Sequence, residues 1–201
     1  MNKIRIIKFI SKKGITSKAE ISSELQVSMP TVLQNVKELV EEGLVTESGE
    51  YASTGGRKAK ALSIAEGIGY TVGMDITANH ITFALVDMRR ELVEKLRVRI
   101  AFENIYSYYE KMVENLLTFI ERTGVDKGKI TGVGISLPGI VNQEEKLLLR
   151  SHALNVENVS FKVIENMIGF PCELENDANS AAYAELFGKG SDAVYLSLSN
   201  T

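Results

Sequence analysis

The spacing of apolar residues changes once along the chain, near Leu62, and this change limits the possible folds more than any other feature. Up to residue 43, apolar residues recur at three- and four-residue intervals, which indicates short amphipathic helices. After Leu62, apolar runs alternate with helical spacing, which indicates strands and helices of an α/β domain. The sequence therefore predicts two domains, a helical head over residues 1–60 and an α/β lobe over residues 61–201.

Composition excludes several classes of protein. Of the 201 residues, 44% are apolar and 24% are charged, as in ordinary globular chains. Cys172 is the single cysteine, and with only His80 and His152 beside it we expect no disulfide within the chain, no metal site and no other cofactor. Apolar stretches are short and the N-terminus is charged, unlike a signal peptide, so we expect a cytoplasmic protein with no membrane partner.

Three short helices are predicted in the head. The first covers residues 3–12 and ends at Gly14, where glycine permits a helix stop. Ser17 begins the second with a Ser-x-x-Glu capping pattern. Ser28 begins the third, which carries Pro30 in its first turn and ends at Gly43. The apolar positions of the second and third helices resemble the helix-turn-helix of bacterial transcription regulators.

In such a motif the third helix packs one face inward, here Val32, Val36 and Leu39, and presents its N-terminal end to the major groove of DNA. The candidate DNA-binding residues on this helix are Ser28, Met29, Thr31, Gln34 and Asn35. We expect Gln34 and Asn35 to read bases, because an amide offers adenine a donor and an acceptor together, whereas hydroxyls suit phosphates. A three-helix bundle with a polar face is the alternative.

The residues after Gly43 favour DNA binding. Residues 44–46 and 51–53 flank a polar turn, which predicts the hairpin of a winged helix. Two glycines and three cations follow within residues 53–60, so we expect Arg57 and Lys58 to reach phosphates or the minor groove. The alternative interpretation of this strip is an interdomain linker, and the two roles are compatible. Residues 1–60 carry ten Lys/Arg and seven Asp/Glu, a net charge of +3 within a chain of net charge -3.

The lobe has an alternating order of strands and helices. Strands are predicted at 70–76, 81–86, 96–100, 130–135, 172–175 and 193–198, and helices from Ile105 over about 17 residues, near 161–168 and at 178–187. Three strands come in succession and later strands follow crossovers. This order predicts a mixed sheet with helices packed on it.

Three segments of the lobe resemble the ROK family of sugar kinases and sugar-responsive repressors. They are residues 73–76, residues 132–142 and residues 175–185, and the last contains the string Glu-Asn-Asp-Ala-Asn. With the winged helix and basic strip in front, the chain resembles the repressor branch. The resemblance implies an actin/hexokinase-like (ribonuclease H-like) ATPase fold for the lobe. It also implies double-stranded operator DNA and a small-molecule sugar effector as partners, in a homodimer.

Four residues of these segments are the predicted sugar-binding residues: Pro138, Gly139, Asn176 and Asp177. A carboxylate and an amide at a strand-to-helix corner can accept from and donate to adjacent sugar hydroxyls. The Pro-Gly turn lets backbone approach a ligand closely. An Asn-Asp pair at a helix start is by itself more often an N-cap, so this assignment depends on the family resemblance.

No enzyme activity is predicted for these 201 residues. ROK kinases carry an Asp-x-Gly-Gly-Thr phosphate loop after the first strand, whereas this chain has Thr77 and Ala78 in place of the glycines. Their side chains would hold a phosphate away from the backbone N–H groups. If the chain were a kinase, Asp177 would be the catalytic base.

Three functions therefore compete. The leading prediction is a sugar-responsive DNA-binding repressor of carbohydrate-utilisation genes. An ATP-dependent sugar kinase with an appended regulatory head is the alternative from a different class. A third is a truncated sensor, expected because the chain ends at Thr201 before the second lobe and zinc cluster that the resemblance implies; such a chain would bind DNA without responding to sugar.

Overall fold

A computed structural model describes residues 1–51, 59–187 and 195, and these residues form two compact units. The first unit comprises Met1–Ile68 and Met88–Glu91, and the second comprises the described residues of Gly69–Asp87 and Leu92–Thr201. Each unit has its own buried apolar core. The domain division at residue 60 stays a prediction, and a strand of the first unit runs across that position.

In its described residues, the first unit contains three helices and three strands: α1 (Asn2–Lys13), β1 (Ile15–Thr16), α2 (Lys18–Leu25), α3 (Met29–Glu41), β2 (Val45–Tyr51) and β3 (Ala59–Ile64). The three predicted helices are confirmed. The side chain of Ser17 accepts a hydrogen bond from the N–H of Glu20 at 3.2 Å, as the capping pattern predicts. Gly43 has φ +70°, and the N–H groups of Gly43 and Leu44 donate to the carbonyls of Val40 and Leu39, which ends α3.

The strands of the first unit differ from the predicted hairpin. They form one antiparallel sheet in the order β1-β3-β2. Residues 47–50, predicted as a turn, lie inside β2, and β2 pairs with β3. Of the predicted second strand at 51–53, Tyr51 is the last residue of β2, and residues 52 and 53 lie outside the described residues. The reason is burial, because Leu62 and Ile64 of β3 alternate into the core and Ile64 pairs with Val45.

The core of the first unit is built from the predicted helix faces together with the sheet. Its buried apolar residues are Ile6, Ile10, Ile21, Val27, Val32, Val36, Leu39, Val45, Leu62 and Ile64. Since α3 buries one face here, its other face is left for solvent or a ligand.

The second unit has eight strands, three α-helices and a short 3₁₀ helix at Lys127–Lys129. The strands are β4 (Tyr70–Ile76), β5 (His80–Asp87), β6 (Leu92–Arg99), β7 (Ile130–Leu137), β8 (Ile140–Asn142), β9 (Leu147–Ser151), β10 (Val156–Ser160) and β11 (Cys172–Asn176). The helices are α4 (Tyr106–Thr123), α5 (Lys162–Ile168) and α6 (Asp177–Leu186). Within the described ranges, none of the chain's helices is both long and apolar enough to cross a membrane.

Five strands form the main sheet in the order β11-β7-β4-β5-β6. The neighbours β4, β5 and β6 are antiparallel, while β7 is parallel to both β4 and β11. This mixed order is the predicted ribonuclease H-like arrangement. Because α6 follows β11 directly, the α6 N-terminus lies at the carboxyl edge of the parallel strands, where the sugar-binding residues were predicted.

The sequence prediction missed a second, three-stranded antiparallel sheet in the order β10-β9-β8. Its strands have only three to five residues, too short for a clear alternating pattern. Strand β6 also begins earlier than predicted, at Leu92. The predicted strand at 193–198 lies outside the described residues, apart from Tyr195.

Candidate nucleic-acid interface and sugar site

Helix α3 presents a polar face opposite its buried one. At 3.6 residues per turn, Gln34 lies about 200° around the helix from Val32, which is fully buried. Gln34 is exposed, as are Ser28 and Met29 at the helix start, while Thr31 is half-buried. The predicted base- and phosphate-contacting positions near the α3 N-terminus are therefore accessible.

The two amides predicted to read bases differ in their surroundings. The amide nitrogen of exposed Gln34 donates to Glu38 Oε1 at 2.8 Å, one turn along the same face. Half-buried Asn35 donates to the backbone carbonyl of Thr31 at 2.7 Å. Gln34 can exchange a surface partner for a base, whereas Asn35 is held against its own helix. Gln34 is thus the better placed of the two to contact a base.

Hydroxyl groups lie at the start of α3. Ser28 occupies the N-cap position, but its hydroxyl lies 2.8 Å from that of Thr31 rather than accepting from the helix backbone. The first-turn N–H groups of α3 therefore receive no side-chain cap from Ser28, and an anion such as a phosphate could satisfy them.

Sequence reasoning missed Leu33 on this helix. Its side chain is 47% exposed, and Met29, one turn earlier, is 39% exposed. The four-residue spacing of these two apolar residues outside the Val32/Val36/Leu39 face was the available signal. Together they form an apolar stripe beside Gln34.

Several cations of the first unit are paired, while two others make no ion pair with the described residues. Glu47 of β2 accepts from Lys18 at 2.5 Å and from Lys60 at 3.1 Å, and the hydrogen bond from Lys18, followed by that from Lys60, lowers its pKa below the usual value. Within the described part of the chain, exposed Lys8 and Lys12 of α1 make no ion pair. The predicted DNA contacts Arg57 and Lys58 lie outside the described residues.

In the second unit, Asn176 is the N-cap of α6 and both of its polar atoms are engaged. Its carbonyl oxygen accepts from the N–H of Asn179 at 3.1 Å, and its amide nitrogen donates to the carbonyl of Gly139 at 2.8 Å. Asn176 thus ties the α6 N-terminus to the turn after β7. The predicted residues Asn176 and Gly139 are brought together, with Asn176 acting first as a structural clamp.

Gly139 is fixed by its neighbours. It has φ +147°, and an added Cβ would lie 2.4 Å from the carbonyl oxygen of Arg150 and 3.1 Å from the Cα of Ser151. Any larger residue would therefore clash with β9. The close approach that requires glycine here is to the chain's own backbone, and half-buried Pro138 precedes it.

Asp177 is the predicted sugar-binding residue that remains available. It is exposed in the first turn of α6, and its Oδ1 accepts from the N–H of Ala178 at 2.8 Å. The positive end of the helix dipole lies beside this carboxylate. A carboxylate held there can accept hydrogen bonds from two adjacent hydroxyl groups.

Glu175, which the sequence prediction did not select, organises this corner. Its Oε1 accepts from the N–H of Asn176 at 2.8 Å and from the amide of Asn179 at 3.1 Å. Its Oε2 accepts from the amide of Gln143 in the β8–β9 turn. The Glu175 carboxylate therefore joins the end of β11, the first turn of α6 and the β8–β9 turn. These contacts fix the backbone on both sides of Asp177.

A cavity of about 720 Å³ lies between the main sheet and α6. Its polar lining includes Asp75, Ser136, Glu175, Asp177 and Ser180, and Ser136 donates to Asp75 Oδ1 at 3.1 Å. The volume falls in the range of small-molecule sites, and the lining is mostly apolar with a few carboxylates and hydroxyls that could bond to a polyol. Among the described residues, no cluster of His, Cys, Asp or Glu has the arrangement of a metal site.

The turn between β4 and β5 is closed by its own hydrogen bonds. The N–H of Thr77 donates to the carbonyl of His80 at 2.9 Å, and the Thr77 hydroxyl both donates to that carbonyl and accepts from the N–H of His80 at 3.1 Å. The turn therefore uses two of its own N–H groups internally. A phosphate-binding loop needs such N–H groups directed at the ligand.

The two units have the architecture of a winged helix-turn-helix head followed by a sugar-kinase-like lobe. Comparison of sequences agrees: a winged helix-turn-helix DNA-binding family matches residues 2–46, and the ROK family matches residues 71–199. The chain belongs to the ROK family.

Individual relatives extend this result. The xylose repressor of Caldicellulosiruptor bescii is 30% identical over 210 residues, covering 98% of this chain and 51% of the repressor. A solved ROK family transcriptional regulator, a homologue of the Escherichia coli MLC protein, matches 92% of this chain and 47% of its own with a TM-score of 0.68 at 24% identity. The polyphosphate/ATP-glucomannokinase of Arthrobacter sp. strain KM matches 63% of this chain and 51% of its own with a TM-score of 0.50 at 21% identity. The chain spans about half the length of the curated relatives that it matches.

Proposed function

We propose that the chain is a sugar-responsive DNA-binding transcriptional repressor of carbohydrate-utilisation genes. The observation that carries the proposal is the joining, in one chain, of a winged helix-turn-helix unit with an exposed recognition-helix face to a ROK lobe. The name of the C. bescii relative, a xylose repressor, supports the same function. A DNA-reading head alone would need no sugar-kinase-like lobe, and a kinase would need no such head.

In this proposal Gln34 contacts a base, while Ser28, Thr31 and the α3 N-terminus contact phosphates. Arg57 and Lys58 supply further backbone or minor-groove contacts. Two chains in a homodimer present their recognition helices about 34 Å apart to a two-fold symmetric operator.

The sugar is held by Asp177, which accepts from its hydroxyls, and the Asn176–Gly139 clamp fixes where Asp177 lies. Asp75 and Ser136 line the same cavity and add acceptors. A sugar that binds more tightly to the arrangement of the dimer that fits DNA less well weakens DNA binding. Bound DNA then weakens sugar binding by the same factor, because coupling between two binding sites is reciprocal.

Phosphotransfer is not part of the proposal. The Thr77–His80 hydrogen bonds supply the reason, since they occupy the turn where a ROK kinase would place its phosphate loop. The kinase alternative has support from the fold likeness to the glucomannokinase, and ATP-dependent phosphorylation of a monosaccharide above an Asp177→Asn control would establish it instead.

The proposal is tested by selecting duplexes from a random-sequence library and measuring their affinity for the chain by fluorescence anisotropy. The salt concentration is varied, and xylose, glucose and N-acetylglucosamine are added in turn. We expect a selected duplex to bind far more tightly than a scrambled one, with affinity that falls steeply with salt. One sugar should weaken the binding, and Asp177→Ala should remove that response while leaving DNA affinity unchanged. If no sequence is enriched, the chain is not a sequence-specific DNA-binding protein.

A further inference from the structure

Among the described residues, the Met29 and Leu33 side chains of the apolar stripe do not belong to the buried core of the first unit. Both side chains are more than one-third exposed, although they lie on the helix that buries Val32, Val36 and Leu39 completely or nearly so. A single exposed leucine on a protein surface is unremarkable. Two exposed apolar side chains on adjacent turns of the helix that carries Gln34 form a continuous apolar contact surface.

The position of the stripe limits what it can meet when DNA is bound. Leu33 precedes Gln34 and lies about 100° from it around the helix, so a base pair contacted by Gln34 brings Leu33 close to a neighbouring base pair. Leu33 also lines a groove in which Lys18 is paired with Glu47 and Lys37 with Glu41, so the charges beside Leu33 are balanced within the unit. The stripe therefore lies next to the proposed base-reading residue, where base edges rather than phosphates would be found.

Only one group on the base edges of the major groove is apolar, the C5-methyl group of thymine. An aliphatic side chain offers no hydrogen bond to the other edges and would strip water from their donors and acceptors at a cost. Leucine and methionine next to an adenine-reading amide suit an A·T-rich step, in which one strand offers adenine to the amide and a neighbouring thymine offers its methyl group.

We infer that Leu33, supported by Met29, determines sequence specificity by contacting thymine methyl groups in the major groove. This inference rests on the proposed DNA-binding function and adds a second kind of base readout to it. Burial of one methyl group contributes about fourfold in affinity, which converts to about 0.8 kcal/mol.

The test uses the whole chain and a duplex selected from a random library. Each thymine of the duplex is replaced singly by deoxyuridine, which lacks only the C5-methyl group, and the dissociation constant is measured by fluorescence anisotropy. We expect about fourfold weaker binding at one or more positions for the natural chain. The Leu33→Ala variant should bind the natural and the substituted duplex equally at that position, while Leu33→Met should keep the preference for thymine.

The matched control is Ile4→Ala, which removes another exposed aliphatic side chain of the same unit, one that is 62% exposed on α1. It should leave the sensitivity to deoxyuridine intact. Because Leu33 is surface-exposed, its replacement should change stability little, and far-UV circular dichroism during thermal unfolding verifies this.

The other outcomes are distinguishable. If deoxyuridine has no effect at any position although the duplex binds specifically, the inference is wrong and the proposed function stands. If the effect persists unchanged in both Leu33→Ala and Met29→Ala, other residues read the methyl groups and the inference is again wrong. If no duplex is enriched, the proposed function fails and the inference fails with it.

Discussion

Asn176 offers the sharpest test of what stabilises the corner between β11 and α6, because its two hydrogen bonds can be removed separately. Replacement by alanine removes the N-cap acceptor used by Asn179 and the donor used by the Gly139 carbonyl. An N-cap is worth about 1 kcal/mol and a neutral hydrogen bond about 1 kcal/mol. We therefore expect Asn176→Ala to lower the free energy of unfolding of the second unit by about 2 kcal/mol.

Asn176→Asp separates the two contributions. A carboxylate keeps the cap and interacts favourably with the helix dipole, but it cannot donate to Gly139. We expect a loss of about 1 kcal/mol, the value of the second hydrogen bond alone. Asp177→Ala is the control, since this exposed side chain bonds only to the adjacent N–H in the described structure, and its removal should cost less than about 0.5 kcal/mol.

Urea unfolding followed by tyrosine fluorescence measures these changes. The chain has no tryptophan, and of its seven tyrosines only Tyr51 belongs to the first unit, so the signal reports mainly on the second. The expected loss of about 2 kcal/mol corresponds to about 6–10 °C in melting temperature. A midpoint for Asn176→Ala equal to that of Asp177→Ala would refute the clamp and return Asn176 to the role of a free sugar ligand.

Three further outcomes are expected. Ser17→Ala should destabilise the first unit by about 1 kcal/mol in far-UV circular dichroism melts, because the N–H of Glu20 loses its cap. Cys172, whose pKa is raised to about 11 chiefly by burial, should resist a thiol reagent at pH 8 in the native chain and react once urea unfolds it. The pKa of Glu47 is lower in the folded chain than its usual 4.5, so its contribution to stability is complete above that pH and lost as the pH falls through the folded value; Glu47→Gln should flatten this part of the stability–pH curve.

Local features of this chain were predictable from sequence because their causes lie within a few residues. The Ser17 cap and the stop at Gly43 each depend on one side chain or one φ angle, and both were predicted correctly. The second strand of the wing was placed wrongly because its position depends on Leu62 and Ile64 reaching a core built by distant helices. The strands β8, β9 and β10 were missed for a similar reason, since they are held by pairing across turns rather than by a strong pattern of their own.

The predicted site residues illustrate what a motif can and cannot convey. The Glu-Asn-Asp-Ala-Asn string predicted the position of the corner, yet it did not indicate which side chains have spare hydrogen-bonding capacity. Both polar atoms of the Asn176 side chain are hydrogen-bonded, one to Asn179 and one to Gly139, while Asp177 remains exposed.

The same distinction separates the two amides of α3. Asn35 donates to the carbonyl of Thr31 inside its own helix, whereas Gln34 is joined to Glu38 on the surface, where exchange with a base costs little. In both units the residue whose polar atoms are engaged within the fold is next in sequence to the one that we propose as a ligand. The hydrogen-bond partners, which the sequence does not show, separate the two.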